Sequence, residues 1–427
     1  MPGTCFSPLQ NSFMLYWRKF VLMEDHLMEL LKTKALTHSN YLYLLIAGIV
    51  LIAFNLRPAI TSLGPLVGMI QEDVGLAHWS AGLLMSLPLL VFAVMSPLVP
   101  KIAARLTNER TLLIGLTSLL IGITIRSIAI PVLLFTGTLL VGLGIAIGNV
   151  LLPAVVKERF PKKFGLMTSV YSTSMGLIAS LASGISVPLA VDLDLGWQGA
   201  QIVWGIPVII ALILWGFLFK YREEGKSGSQ QKQITSSKQM WRSSLAWQIA
   251  IFMGFQSFSF YVTISWLTEI LHSHGINLEM AGWLLSFTQL VGLPASFVIP
   301  VLAGRFQSQV WISFYLGLFA VLGYSGLLFG STYPILIVSI IFIGIALGGS
   351  FPLALTYIGL RTQTGQQTAA LSGMAQSTGY VLAAIGPLFI GYLYDLTHAW
   401  TVPLVLLIVV SVVLTVFGML SGRDRYV

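Results

Sequence analysis

The 427-residue sequence contains a single cysteine, Cys5, and only 9% charged residues, of which 15 are acidic. One cysteine excludes an intrachain disulfide. A soluble domain carries about 25% charged residues, so this chain has too few to cover the surface of a water-soluble fold. Hydrophobic residues instead make up 56% of the chain. This composition is typical of a protein whose outer surface faces lipid rather than water.

Metal-binding and catalytic motifs are also missing. The six histidines are scattered, and the one close pair, His272 and His274, fits a solvated loop better than a metal site. No Walker-type phosphate loop is present, which excludes the class of proteins that are driven directly by ATP. The apolar segments contain no histidine, no cysteine and no paired carboxylates, which a membrane-embedded enzyme would need. We therefore expect no enzyme activity, no metal and no cofactor.

Hydropathy and loop chemistry predict an all-α membrane protein with twelve transmembrane helices. Proline and glycine inside these segments do not exclude helix, because neighbouring helices can satisfy the backbone groups that a kink frees. The predicted spans are 42–66, 79–100, 111–130, 132–156, 165–190, 199–220, 246–270, 280–303, 310–330, 333–357, 369–393 and 400–421.

The basic residues predict the orientation of these spans. Arg57 lies inside a span, and Arg126 lies near a helix end on one side. The other 21 of the 23 Lys and Arg residues fall on the opposite side, which the positive-inside rule places in the cytoplasm together with both termini. We therefore explain the net charge of +8 by a multi-pass plasma-membrane protein and not by nucleic-acid binding. The 21 basic residues on the predicted cytoplasmic side are Arg18, Lys19, Lys32, Lys34, Lys101, Arg105, Arg110, Lys157, Arg159, Lys162, Lys163, Lys220, Arg222, Lys226, Lys232, Lys238, Arg242, Arg305, Arg361, Arg423 and Arg425.

The polar segments divide the chain. Residues 12–34 are compatible with an amphipathic helix on the inner membrane surface, and the alternative is a natural start at Met23 or Met28. The stretch from 221 is rich in Ser, Gln and Lys, as flexible linkers are. The predicted organisation is a cytoplasmic segment at 1–41, a six-helix bundle at 42–220, a cytoplasmic linker at 221–245, a second six-helix bundle at 246–421 and a cytoplasmic tail at 422–427.

The two halves of the chain resemble each other at an offset of 200 residues. Each matched pair falls at the same place in its own half, which indicates an internal duplication. Two pseudo-symmetric bundles of this kind can rock about a site between them. The matches join Ala81–Ser86 to Ala281–Ser286, Pro100–Arg105 to Pro300–Arg305 and Gly144–Gly148 to Gly344–Gly348.

The loop Pro100–Arg110 (PKIAARLTNER) resembles the signature between the second and third spans of the major facilitator superfamily. It retains the basic positions Arg105 and Arg110, and Arg305 repeats Arg105 in the second half. The signature usually has an acidic residue where Ala104 stands and a glycine near Asn108. The resemblance therefore does not extend to the gating salt bridge that this acid makes.

The first span carries a more specific resemblance. Asn55–Leu66 (NLRPAITSLGPL) is similar to the opening of the cyanate-permease and nitroimidazole-porter branch of that superfamily, and so is Gly142–Pro153. The resemblance covers residues 42–421. It implies a major facilitator fold in which spans one, four, seven and ten line a central cavity for a small solute.

Arg57 is the strongest candidate for contact with that solute. It lies about 22 Å into the first span at 1.5 Å per residue, where a charge costs about 3 kcal/mol or more. Its planar fork of donors suits an anionic or strongly dipolar solute, whereas a structural role would bond it to carbonyls of neighbouring helices. The accompanying candidates are polar residues of the lining spans, together with one residue of span eleven, Gln376, that could reach into the cavity. Each of them could instead join two helices: Asn55, Thr61, Asn149, Gln256, Tyr261, Ser350, Tyr357 and Gln376.

All fifteen acidic residues map to tails, loops or span ends, and Glu269 comes closest to the membrane. Proton-driven porters use a buried acid as proton relay. We therefore expect a monomeric transporter, secondary active or facilitative, that is not coupled through a deep carboxylate. Efflux of drugs or metabolites is the alternative within the same superfamily, and a membrane-embedded enzyme or a transporter-like sensor is a remote one.

Overall fold

The computed structural model describes residues 38–76, 78–225, 237–330 and 332–427. Within these ranges the secondary structure is helical and no strand is present. By compactness the chain divides after Gly48, so the first turns of the first helix belong to one unit and Ile49–Val427 form the other.

The helices follow one another with short connections. The first half of the chain contains α1 (His38–Asn55), α2 (Pro58–Thr61), α3 (Leu63–Val74), α4 (His78–Met95), α5 (Val99–Leu106), α6 (Asn108–Arg126), α7 (Pro131–Arg159), α8 (Phe164–Val191), α9 (Gly196–Ile202) and α10 (Gly205–Gly225). The second half contains α11 (Ser237–Arg242), α12 (Ser244–Ser273), α13 (Leu278–Arg305), α14 (Val310–Phe329), α15 (Tyr333–Leu360), α16 (Gly365–Thr397) and α17 (Thr401–Ser421).

Among the described residues, eleven helices are long and apolar enough to cross a membrane. The number becomes twelve, as predicted, when Ser86–Met95 and Val99–Leu106 are counted as one span bent by 57°. Each half has its own apolar core, which includes Leu66 and Leu134 in the first half and Val262 and Ile340 in the second.

The helix bounds differ from the predicted spans mainly where helices break. The second predicted span, 79–100, is interrupted between Met95 and Val99, because Pro97 has no N–H to donate and bends the chain. The predicted linker is partly helical, since α10 continues to Gly225 and α11 begins at Ser237. The possible surface helix at 12–34 lies outside the described residues.

The two halves meet at one end of the helices, which we call the basic end: α5 meets α6, α7 meets α8 and α13 leads into α14 there. The contacts run along α8 and α13, where the Thr173 and Ser296 hydroxyl oxygens are 3.1 Å apart. Closer to the basic end, a Cβ on Gly165 would clash with the Pro300 carbonyl and approach the Gly304 Cα to 2.9 Å. Glycine therefore lets the two backbones touch.

Thr107 has a strained backbone between α5 and α6, with φ of 86° and ψ of 156°. A β-branched residue rarely adopts positive φ, whereas glycine does so without strain. The position lies beside Asn108, where the family signature was expected to carry a glycine. Thr107 also caps α6, because its hydroxyl oxygen accepts from the Arg110 N–H at 3.4 Å.

We predict that Thr107→Gly raises the unfolding temperature of the purified protein. Relief of the strained φ is worth about 1–3 kcal/mol, and glycine at a helix N-cap costs only a few tenths of a kcal/mol. Thermal denaturation in detergent measures the change. Thr332→Gly is the matched control, because Thr332 precedes α15 with φ of −102° and makes no capping bond. Equal destabilisation by the two substitutions would contradict the prediction.

Candidate functional site

The first span is broken at the residue that the sequence singled out. Helix α1 ends at Asn55 and α2 starts at Pro58, so Arg57 lies between them with φ of −125° and ψ of −38°. The break follows from Pro58, which lacks an N–H and disfavours helical geometry at the residue before it. The Arg57 carbonyl accepts from the N–H groups of Ile60 and Thr61 at 2.9 and 3.0 Å, so the helix resumes at once.

Two aromatic rings flank the Arg57 guanidinium. Its Cζ lies 5.4 Å from the ring centroid of Phe260 on α12 and 5.2 Å from that of Phe351 on α15. Within the described part of the chain the guanidinium makes no hydrogen bond and no ion pair. The cation is therefore held by two cation–π contacts, worth about 0.5–2 kcal/mol each, and keeps its N–H donors unused.

Polar residues from both halves of the chain meet beside it. The Asn149 Nδ2 of α7 donates to the Tyr380 hydroxyl of α16 at 3.2 Å. The Gln376 Nε2 donates to the Asn149 carbonyl at 2.8 Å, while the buried Gln376 Oε1 has no partner among the residues that the structure describes. Tyr380 also packs on Phe92, with ring centroids 4.7 Å apart. These bonds join α7 to α16 across the interface between the halves.

Tyr261 completes this group. Its ring is 5.4 Å from that of Phe260, and it lies within electrostatic range of Arg57, as Tyr380 does. We call the assembled residues the central cluster: Arg57, Asn149, Phe260, Tyr261, Phe351, Gln376 and Tyr380. No carboxylate of the described residues belongs to it.

Four of the predicted residues instead bond to helix backbone or to a neighbour in the same helix. Asn55 donates to the Pro207 carbonyl at 3.2 Å, and Thr61 donates to the Ala179 carbonyl at 3.1 Å. Gln256 bonds to Met253 and Ser257, and Ser350 bonds to the Ala346 carbonyl. Tyr357 lies apart from the cluster as well, bonded to Ser313 at 2.6 Å.

In the loop that resembles the family signature, the acidic residue is Glu109, whereas the signature usually has one at position 104. Arg105 and Arg305 are exposed, and the Arg110 Cζ lies 5.3 Å from the Phe219 ring. One ion pair at this end joins Glu109 to Arg159 at 2.9 Å. Neither Glu109 nor Arg159 was predicted as part of a gating pair, because the family signature has its acidic residue at position 104.

Glu158 is a second acid at the basic end that the sequence did not single out. It accepts from the Asn108 side chain at 3.3 Å. A Cβ on Gly365, the first residue of α16, would lie 3.7 Å from the Glu158 Oε2. The carboxylate of the first half therefore lies at the positive end of a helix of the second half, a favourable arrangement.

Two buried arginines also escaped prediction. Arg361 was assigned to a loop but is 2% exposed, and its guanidinium bonds to Gln309 and to the Ser421 and Gly422 carbonyls. Burial lowers its pKa, and the charge of Asp424 opposes this. Arg126 is 1% exposed, and all three of its guanidinium nitrogens lack a partner among the described residues.

We predict that Tyr380→Phe lowers the free energy of unfolding by about 0.6–2 kcal/mol, the value of an interhelical hydrogen bond. The ring stays on Phe92, but the Asn149 amide loses its acceptor. Denaturation of the purified protein measures the loss. The control is Tyr392→Phe, because Tyr392 is exposed. Equal stability of both variants would show that the Asn149–Tyr380 bond contributes nothing.

The family model described as the Major Facilitator Superfamily matches residues 43–325 and 249–426. The chain is 50% identical over 383 residues to the uncharacterized transporter YycB of Bacillus subtilis (strain 168), covering 90% of this chain and 94% of that one. It is 40% identical over 381 residues to the 2-nitroimidazole transporter of Escherichia coli (strain K12), covering 89% and 96%.

A more distant relative and a solved structure agree with these matches. The cyanate transport protein CynX of Escherichia coli (strain K12) is 25% identical over 351 residues, covering 82% of this chain and 89% of that one. The crystal structure of the transporter FucP in the outward conformation superposes with a TM-score of 0.71 at 14% identity, covering 88% and 98%. This second likeness concerns the fold alone.

Proposed function

Because this chain belongs to the Major Facilitator Superfamily and is a transporter of small solutes rather than an enzyme, we propose that it carries a small anionic or strongly polar solute across the plasma membrane by alternating access. Arg57 binds the solute at the central cluster. The observation that carries the proposal is a guanidinium inside the membrane span with unused donors.

The cost of the charge supports a binding role for Arg57. A cation in the hydrocarbon layer is expensive unless it faces water or a partner. The two cation–π contacts offset part of this cost and leave the planar donor edge free. A carboxylate, a nitro group or a cyanate ion would accept two parallel hydrogen bonds, or one strong charged one, from that edge. Tyr261 and Tyr380 lie within electrostatic range of Arg57 and supply further polar groups, and Asn149 donates to the Tyr380 hydroxyl.

The aromatic walls narrow the class of solute. Phe260, Phe351, Tyr261 and Tyr380 offer flat apolar faces, so a small planar solute with delocalised charge fits best. The names of two relatives, a 2-nitroimidazole transporter and a cyanate transport protein, describe solutes of this kind. An efflux porter for lipophilic compounds would need the aromatic walls but not the guanidinium. Uptake and efflux would use the same cluster.

The packing of the halves supports alternating access. The helices touch near the basic end, while Arg57 is part-exposed. The positive-inside rule predicts that the basic end faces the cytoplasm, and we infer that this conformation admits solute from the outer side. Opening of the basic end would separate α8 from α13. Since the central cluster holds no carboxylate, we infer transport that is facilitated or is coupled through something other than a deep acid.

We predict that Arg57→Gln raises the half-saturating solute concentration about tenfold or more, because a hydrogen bond to a charged group is worth about 1.5–3 kcal/mol. Arg57→Lys should give a half-saturating concentration between those of the unchanged protein and Arg57→Gln, since lysine keeps the charge but loses the planar fork. Transport of radiolabelled cyanate and of radiolabelled 2-nitroimidazole in proteoliposomes measures the half-saturating concentration of each variant. Arg242→Gln is the control, because Arg242 is exposed at the basic end. Unchanged transport by Arg57→Gln would remove Arg57 from the site.

We also predict that a disulfide between the halves stops transport. The hydroxyl oxygens of Thr173 and Ser296 are 3.1 Å apart, so the combination of Thr173→Cys and Ser296→Cys in a Cys5→Ser background brings two thiols close enough to oxidise. Oxidation should abolish solute movement by holding the basic end closed, and a reductant should restore it.

The matched control places the disulfide inside one half. The hydroxyl oxygens of Thr362 and Thr368 are 2.7 Å apart within the second half, so Thr362→Cys with Thr368→Cys tests for an effect of oxidation alone. Transport that continues with α8 covalently joined to α13 would rule out alternating access by separation of these helices.

A further inference from the structure

A cavity lies beneath the break between α4 and α5, at the basic end. Its volume is about 260 Å³, and it is lined by Pro97, Pro100, Lys101, Trp241, Ala370 and Met374. These residues come from the break in the first half, from α11 and from α16 in the second half. The cavity thus lies between the halves and apart from the central cluster.

The break itself creates the space. Because Pro97 has no N–H, the Ala93 carbonyl loses its helical donor and accepts instead from the Ser377 hydroxyl at 2.6 Å. Next to this bond, a Cβ on Gly373 would clash with the Ser96 carbonyl. The α16 backbone therefore rests directly on the break, and the bent chain leaves a slot on the side of Ala370 and Met374.

Helix α11 forms the outer wall of the slot. The Trp241 carbonyl accepts from the Trp247 Nε1 at 2.9 Å, and the two indole rings pack edge to face with centroids 5.7 Å apart. Both tryptophans are about 40% exposed. Tryptophans of this kind mark the depth of the lipid headgroups.

The chemistry of the lining points to one occupant. Its walls are proline, alanine, methionine and indole, and the single charged group among the described residues of the lining is the ammonium of Lys101, which is exposed. A soluble anion would need several polar donors, and the described lining offers one. A lipid anion needs one cation for its phosphate and an apolar slot for its chain. We propose that this cavity binds an anionic phospholipid, with its phosphate at Lys101 and an acyl chain between Trp241 and Met374.

The bound lipid has a consequence for the transport cycle, which rests on the proposed alternating access. Opening of the basic end moves α16 away from the break and takes the slot apart. A lipid that fills the slot therefore favours the conformation with the basic end closed. Binding of the lipid does not depend on this consequence and can be tested without any solute.

The test uses the full chain, purified in neutral detergent, with phosphatidylglycerol or phosphatidylcholine added and bound lipid counted by native mass spectrometry. We expect retention of phosphatidylglycerol over phosphatidylcholine. Lys101→Gln should weaken phosphatidylglycerol binding about fivefold, the equivalent of about 1 kcal/mol for one lysine near an anionic lipid. Lys162→Gln, at an exposed lysine of the same end, should leave it unchanged.

Two further experiments distinguish the contribution of the lipid headgroup from that of the acyl chain. Trp241→Ala should weaken both lipids, because it removes an apolar wall without touching the charge. Inorganic phosphate and glycerol 3-phosphate should not raise the unfolding temperature as phosphatidylglycerol does. The proposal is overturned if Lys101→Gln retains as much phosphatidylglycerol as Lys162→Gln, if phosphatidylcholine binds equally well, or if the soluble phosphates reproduce the stabilisation.

Discussion

The Arg57 guanidinium, a cation inside the first span, constrains the arrangement of the helices around it. Hydrocarbon cannot solvate a guanidinium, so the protein must supply either water or electron-rich surface at that depth. It does so by breaking the first span at Pro58 and by bringing Phe260 and Phe351 to either side of the charge. The helices that carry these rings come from the second half, so the charge of one half is stabilised only by assembly with the other.

The same dependence explains why the interface between the halves is built from small and polar groups. A hydroxyl pair and glycines join α8 to α13, and an amide network joins α7 to α16. In lipid, apolar side chains gain little by facing each other, whereas close backbone contact and hydrogen bonds do stabilise helix pairs. Each such contact is weak enough to exchange for another, which suits an interface that must separate and re-form.

The sequence predicted most of the spans because length and hydropathy determine them, and α8, α14 and α17 agree with the predicted spans within two residues. It also identified Arg57, since a charge inside an apolar run is visible without coordinates. It also proposed Thr61 as a polar residue of the same span, but the Thr61 hydroxyl donates to the Ala179 carbonyl of α8. Hydropathy cannot show which polar side chains of a span bond to a neighbouring helix.

Phe260 and Phe351 could not be selected, because nothing local distinguishes them from lipid-facing aromatics. Phe260 directly precedes Tyr261, and Phe351 directly follows Ser350; only tertiary contact with Arg57 reveals their role.

The backbone contact between Gly165 and Gly304 can serve as a tool. There is no room for a side chain between these helices near the basic end, because even a methyl group on Gly165 meets the Pro300 carbonyl. A bulky residue at this position acts as a wedge that costs the closed arrangement far more than an open one. Such a variant would enrich the opposite conformation and could yield its structure without a trapping antibody or inhibitor.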